Sequence, residues 1–288
     1  MKFGFSAVVL LASFALVFGF EEPEWDKINF GEDFLPQGFE HKESRIIGGQ
    51  AASPGQFPYQ AGLRMNKTTS GSWCGGVLVS ESYVLTAAHC ASNALYIDVY
   101  LGAQDIRNLT EPGRLNIRVP AANIVVHSGY NPNTISNDIA ILRLPEPVNV
   151  TDTIKPINLP TYDDAAKNFD GTTVVISGWG KNANDAETIT DQLQFTGVAV
   201  QPQSVCQYFF NSAKTSNICT ETIYDRGTCN GDSGGPVAWN SSNGPVLLGL
   251  TSFGSSRGCV ACWPSVFVRV SYYLDWIAAH SNIKIKAM

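Results

Sequence analysis

Gly231-Asp232-Ser233-Gly234-Gly235-Pro236 sets a serine among small residues near the C-terminal end of this 288-residue chain. Upstream stand Leu85-Thr86-Ala87-Ala88-His89-Cys90 and Ser136-Asn137-Asp138-Ile139-Ala140. A serine hydroxyl is a weak nucleophile near neutral pH. A neutral imidazole takes its proton during attack on a carbonyl, because its own pKa lies near the working pH. A buried carboxylate fixes the imidazole tautomer and stabilises the imidazolium that forms. Glycines beside the serine let the backbone approach a substrate. Each part alone carries little meaning. The chain has four histidines (His41, His89, His127 and His280), an isolated Asp closes turns, and a glycine-rich loop needs no chemistry. It is the set, in the order His, Asp, Ser and with these flanks, that makes His89, Asp138 and Ser233 the candidate catalytic residues.

The same stretch satisfies Gly-x-Ser-x-Gly, the nucleophile elbow of α/β-hydrolases, so a lipase or esterase is the competing reading. That fold needs an acid and then a histidine after the serine. Here only His280 follows Ser233, with Asp275 on the same short segment. The βαβ alternation is missing as well.

The flanking motifs resemble those of chymotrypsin-fold serine proteases of the trypsin/chymotrypsin family. They are Ile46-Ile47-Gly48-Gly49, Trp73-Cys74-Gly75-Gly76, Thr86-Ala87-Ala88-His89-Cys90, Asn137-Asp138-Ile139-Ala140, Ser177-Gly178-Trp179-Gly180 and the serine loop itself. The resemblance runs from residue 46 to the C-terminus. Within the family it is similar to the brachyurin group, arthropod digestive proteases that include collagenolytic members. That likeness rests on Gly227-Thr228-Cys229-Asn230, Leu250-Thr251-Ser252-Phe253-Gly254 and Tyr273-Leu274-Asp275-Trp276-Ile277.

Composition bounds the rest. Residues 8–20 form an apolar run behind Lys2, too short for a comfortable membrane span, and read as a secretory signal over 1–19. Ala15 and Gly19 both end plausible cleavage patterns. Residues 20–45 read as a solvated pro-segment; residues 21–45 carry eight acidic residues against Lys27, Lys42 and Arg45, with no cysteine. The net charge is −6, but from residue 46 onward 17 acidic against 15 basic residues leave −2, which gives no reason to expect nucleic acid. The expectation is a secreted, extracellular monomer, with the gut lumen as one setting, no membrane partner and no cofactor or metal.

The protease domain spans 46–288. Short runs rich in Val, Ile and aromatics, punctuated by Gly, Pro, Asn and Asp, make it all-β. Examples are Tyr96–Leu101, Leu115–Val119, Ile139–Leu144, Leu193–Val200, Val246–Thr251 and Val266–Val270. Helical periodicity enters only at 271–281, with Ser271 as a candidate cap and Leu274, Ile277 and Ala278 on one face. Two packed six-stranded antiparallel β-barrels with a C-terminal α-helix are expected, the first over about 46–155 and the second over about 156–270. His89 and Asp138 then come from the first barrel, Ser233 from the second, and the site lies between them.

The remaining assignments are implied by the resemblance. Seven cysteines in a secreted chain mean disulfides with one thiol left over. The family pattern implies Cys74–Cys90, Cys206–Cys219 and Cys229–Cys259; Cys262 lies close enough to Cys259 that either is able to pair with Cys229. The first two short loops are worth on the order of 3 kcal/mol each in the loop-entropy account. Cleavage after Arg45 by a trypsin-like protease frees the amino group of Ile46, which pairs with Asp232 and turns the Gly231–Ser233 backbone into an oxyanion hole. Gly227 falls at the base of the specificity pocket, Gly254 and Ser265 on its walls, and Ser252 with Gly254 on the strand that pairs with the substrate backbone. No carboxylate stands at Gly227 or Ser265, so a buried substrate cation lacks a counter-ion and apolar or aromatic residues are expected instead. Protein substrates and protein protease inhibitors are the expected partners. Collagen cleavage depends on surface loops that the sequence does not place. Rival readings are an activator protease of a cascade and a non-catalytic secreted relative. Sequons at Asn66, Asn108, Asn149 and Asn240 are candidate glycan sites on loops. The family's calcium loop is not expected, because Ala103 follows Gly102 where an acid belongs.

Overall fold

The Ile139–Leu144 run explains how the two halves of the protein meet. Ala140, Leu142 and Leu144 point into one apolar core, whereas Ile139 and Ile141 point into another. Period-two alternation sends neighbouring side chains to opposite faces, and both faces are dry as far as Leu142, so the run reads as continuously apolar up to the exposed Arg143. The computed structural model describes residues 48–68, 71–222, 226–259 and 263–286. Arg45, Ile46 and Cys262, and the expected signal and pro-segment, lie outside the described residues.

Seven strands form the first sheet. They are β2 (Gln60–Asn66), β3 (Gly71–Ser80), β4 (Tyr83–Thr86), β5 (Tyr96–Leu101), β6 (Leu115–Pro120), β7 (Ile124–Val126) and β8 (Ala140–Arg143). Their spatial order is β6-β5-β2-β3-β4-β8-β7, antiparallel throughout. The second sheet contains β1 (Gln50–Ala51), β9 (Thr173–Gly178), β10 (Gln194–Gln201), β11 (Asn217–Thr220), β12 (Pro236–Ser241), β13 (Gly244–Phe253) and β14 (Ser265–Arg269). Its order is β1-β10-β11-β14-β13-β12-β9, and β9 also pairs with β10. That pairing closes a six-strand barrel, from Gln194↔Gly178 to Ala199↔Thr173.

Two details refine the expected pair of six-stranded barrels. Only the second closes through its ladders; the first is a curled sheet with β6 and β7 at its described edges. Strand β1, inside the stretch assigned to the first barrel, pairs with β10 instead, through Gln50↔Phe195 and Ala51↔Gln194.

The core between the sheets joins Val77, Val79, Leu85 and Ile141 to Leu247, Leu250, Val268 and Val270. The C-terminal helix closes it with Tyr273 and Ile277. A 3₁₀ turn over Val270–Tyr273 leads into an α-helix over Leu274–Ala279. The expected Ser271 cap is therefore not used: Ser271 lies inside the 3₁₀ turn, and the α-helix starts after Tyr273 without a side-chain cap. Leu274 and Ile277 are buried as their spacing requires, and Ala278 is half-buried. Among the described residues, disulfides join Cys74 to Cys90, Cys206 to Cys219 and Cys229 to Cys259.

Candidate active site

His89 sits in a four-residue helix, Ala88–Ala91, directly after β4. The Cys74–Cys90 bridge ties that turn to β3. Asp138 lies just before β8, which pairs with β4, so His89 and Asp138 reach the same end of the first sheet. The preceding Asn137 adopts a left-handed φ of 54°. Its Nδ2 donates to the Gly129 carbonyl at 2.8 Å and its Oδ1 accepts from the Tyr273 hydroxyl at 3.0 Å. This pinned turn sets the direction of the Asp138 side chain.

The Asp138 carboxylate is 1% exposed. Its Oδ1 accepts the backbone N–H of His89 at 2.8 Å. Its Oδ2 lies 2.8 Å from His89 Nδ1 and accepts the Ser252 hydroxyl at 2.6 Å. Three donors compensate a carboxylate that would otherwise be costly to bury. With Asp138 as acceptor, Nδ1 carries the proton and Nε2 is left as the basic nitrogen.

Ser233 is carried on the loop before β12. This loop is docked onto β3, which the Cys74–Cys90 bridge ties to the His89 turn: Gly75 N–H donates to the Ser233 carbonyl at 2.7 Å. Gly234 has φ +77°, and a Cβ there would overlap Thr86 Oγ1 and lie 2.6 Å from the Gly75 carbonyl oxygen. Only a glycine admits both the left-handed backbone and this approach. The amides of Asp232, Gly234 and Gly235 donate to carbonyls of Cys229, Thr251 and Asp232. Among the described residues the amides of Gly231 and Ser233 have no intramolecular acceptor. Two unspent N–H groups flanking a serine are what an oxyanion hole requires.

Asp232 is 1% exposed. It accepts N–H groups from Gly180 at 2.8 Å and from Cys229 at 2.9 Å. Burial pushes its pKa up from 3.8 to about 6, although these two amides pull the other way. A Cβ at Gly178 or Gly180 would overlap its carboxylate, which gives the Ser177-Gly178-Trp179-Gly180 motif its physical reason.

At the expected pocket, Gly227 and Ser265 do face each other. A Cβ on Gly227 would lie 2.9 Å from Thr222 Cγ2 and 3.5 Å from Ser265 Oγ. The Ser265 hydroxyl lies 3.2 Å from Thr228 Oγ1. Among the described residues, a Cβ on Gly254 would meet nothing within 4 Å, so that wall is open to them. Ser252 lies in β13, and its side chain turns inward to Asp138.

The loop after Gly102 is closed by protein groups. Arg114 Nη1 donates to the carbonyls of Asp105, Ile106 and Asn108 at 3.2, 3.0 and 2.9 Å, and the Glu111 carboxylate accepts the amides of Gln104 and Asp105. These residues do not fit a calcium ion. Of the sequons, Asn108, Asn149 and Asn240 are exposed. The loop expectation fails for two of the four. Asn240 lies within β12, and Asn66 ends β2, half-buried, with Nδ2 3.3 Å from Asp98 Oδ2.

A two-sheet all-β fold with an acid, an imidazole and a docked serine loop at the junction defines a chymotrypsin-like serine endopeptidase. The trypsin family profile matches residues 46–277, and the chain belongs to that family. It is 39% identical over 238 residues to brachyurin of Leptuca pugilator, covering 83% of this chain and 99% of that protein. It is 36% identical to a collagenase of Hypoderma lineatum, over 85% of this chain and 90% of that protein. A solved structure described as HL collagenase superposes with a TM-score of 0.75 at 36% identity, covering 83% of this chain and all of that one. Among the described residues, no helix is long and apolar enough to cross a membrane.

Proposed function

We propose that this chain is a secreted digestive endopeptidase, made as a precursor and activated by cleavage after Arg45, that cuts proteins after apolar or aromatic residues. The observation that carries the catalytic assignment is the buried Asp138 carboxylate, held by three donors and bonded to His89 Nδ1. The steps are those of the established triad mechanism. Ser233 Oγ attacks the scissile carbonyl while His89 Nε2 takes its proton. The oxyanion accepts the Gly231 and Ser233 amides. His89 then passes the proton to the leaving amine as the C–N bond breaks, which leaves an acyl-enzyme on Ser233. Water, deprotonated by the same imidazole, releases the acyl group.

Activation rests on Asp232. In the uncleaved chain its buried carboxyl is held by two amides and its pKa is raised. The ammonium of Ile46, once freed, supplies a full positive charge for a site that already favours a partner. Retention of His89, Asp138 and Ser233 favours an active enzyme over a non-catalytic relative. The absence of cysteine from residues 21–45 favours digestion over a cascade role.

Specificity follows from Gly227, Ser265 and the wall at Gly254, which is open among the described residues. The base offers hydroxyls from Thr228 and Ser265 and no carboxylate at either family position. A chromogenic peptide panel on the activated chain is expected to rank Phe and Leu above Arg and Lys. A preference for Arg refutes the assignment. Equal peptide hydrolysis by uncleaved Arg45→Gln and the activated chain refutes the activation step.

A further inference from the structure

Leu109, in the loop between β5 and β6, leaves a large apolar side chain 72% exposed. Tyr208 is more exposed still, at 85%, but it lies on the helix Gln203–Phe209, which is not the extended backbone that a protease pairs with. Leu95 is exposed outside the strands, yet its amide donates to the Asn66 carbonyl and its carbonyl accepts the Ala121 amide. Leu109 differs from both. Among the described residues its N–H and C=O have no intramolecular partner. The next residue, Thr110, turns its amide and its hydroxyl back to Asn108 Oδ1, at 3.1 and 3.0 Å. Those bonds face solvent, as does every residue from Arg107 to Thr110. Loop tips held by such bonds open locally at little cost, and proteolytic nicking concentrates there. A leucine also suits the preference for apolar residues proposed above.

The same three residues, Asn108-Leu109-Thr110, are a sequon. Asn108 Oδ1 holds two donors, while its Nδ2 has no intramolecular partner among the described residues. Asn66 is the contrast: its Nδ2 donates to the Arg64 carbonyl and to Asp98 Oδ2, both at 3.3 Å. Asn108 therefore presents the nitrogen that carries a glycan, and Asn66 does not. A glycan on Asn108 stands one residue before the Leu109 carbonyl, and its bulk keeps the adjoining bond out of a cleft. The coincidence recurs once: Val150, 49% exposed, is the middle residue of the sequon Asn149-Val150-Thr151. We propose that the Leu109–Thr110 bond is the self-cleavage site of this enzyme and that an N-linked glycan on Asn108 shields it. One molecule cuts another. Ser233 takes the Leu109 acyl group, Thr110 leaves as a new amino terminus, and water releases Leu109 as a carboxylate. The nick separates Glu111 and Arg114 from the Asp105, Ile106 and Asn108 groups that they hold. On the near side, Ile106 N–H donates to the Asp191 carbonyl at 2.9 Å and Asp105 bridges to Gln192, just before β10. A nick thus loosens a loop that fastens the first sheet to the second. This rests on the secreted-endopeptidase reading above and adds a control on how long the enzyme lasts.

The test uses the activated full chain secreted from a eukaryotic host. Peptide mass mapping is expected to find a glycan on Asn108, and an unmodified Asn108 overturns the proposal. Asn108→Gln and Thr110→Ala delete the sequon in different ways. On incubation, each is expected to yield a fragment that begins at position 110 at least about tenfold faster than wild type, because nicking follows the population of the open, unshielded loop. Hydrolysis of a Phe amide should decline in step with that fragment. Adding Leu109→Ser to Asn108→Gln is expected to remove the fragment and restore the lifetime, with the initial rate on the amide unchanged. Equal nicking rates with and without the glycan overturn the proposal, as does a first cut elsewhere or a cut that survives Leu109→Ser. Ser233→Ala combined with Asn108→Gln should stay whole alone and be cut when active enzyme is added; a cut without added enzyme overturns self-cleavage. Failure of the activated chain to hydrolyse the Phe amide counts against the endopeptidase reading. A Leu109–Thr110 bond in the inactive chain that resists added chymotrypsin counts against the present proposal, so the two failures are distinguishable.

Discussion

Replacing Asp232 by Asn in the uncleaved chain isolates the cost of burying one carboxyl group. Asp232 is 1% exposed, and burial raises its pKa from 3.8 to about 6 against the pull of the Cys229 and Gly180 amides. A folded-state pKa above the unfolded one means that the folded chain holds the proton more tightly. Its stabilising contribution is then full below the unfolded pKa of 3.8 and is lost as the pH rises through about 6. The rise from 3.8 to about 6 corresponds to about 3 kcal/mol. The uncleaved wild-type chain is expected to lose about that much between about pH 4 and about pH 7, whereas the Asn side chain does not titrate. Urea unfolding of both chains across this window gives the difference directly. Wild type should become less stable relative to Asp232→Asn as the pH rises. A difference that stays flat, or runs the other way, refutes the burial argument. After cleavage the Ile46 ammonium is expected to abolish or reverse the slope, because a paired carboxylate favours the charged form.

Three further outcomes test the geometry. Ser252→Ala removes one of three donors to Asp138 and is expected to lower kcat about tenfold, equivalent to about 1.4 kcal/mol, with KM for a short amide little changed. Gly234→Ala places a side chain at φ +77° against Thr86 and Gly75, and strain plus overpacking should cost roughly 2–5 kcal/mol, read as a lower urea midpoint. Gly227→Asp adds a carboxylate beside Ser265, and the Arg-over-Phe ratio of kcat/KM is expected to rise by at least about tenfold once Thr222 Cγ2 gives way.

The candidate catalytic set was readable because the chemistry proposed for it is restricted to a few residue types with small, fixed flanks. His89, Asp138 and Ser233 each sit in such a stretch, and the structure brings their three segments to one junction. The cysteine pairs followed from the same family pattern, and the second of them joins the helix that carries Tyr208 to β11. What the sequence concealed is long-range. Ser252 reaches Asp138 across 114 positions and Tyr273 reaches Asn137 across 136, so no local pattern marks either bond. Strand β11 is buried at all four residues and shows no alternation. The β1–β10 pairing involves two exposed residues, Gln50 and Ala51, that carry no hydrophobic signal. The aromatic helix Gln203–Phe209 is only seven residues long, too short for its periodicity to stand out.

We propose Ser233, activated by His89 and Asp138, as the nucleophile that opens the peptide bond. Labelling of the activated chain with a fluorophosphonate, followed by peptide mapping, tests it most directly. A single adduct is expected on Ser233, absent from His89→Ala at matched exposure, with no peptide hydrolysis by Ser233→Ala above the level left by the oxyanion hole. An adduct on another residue, or full hydrolysis by Ser233→Ala, contradicts it.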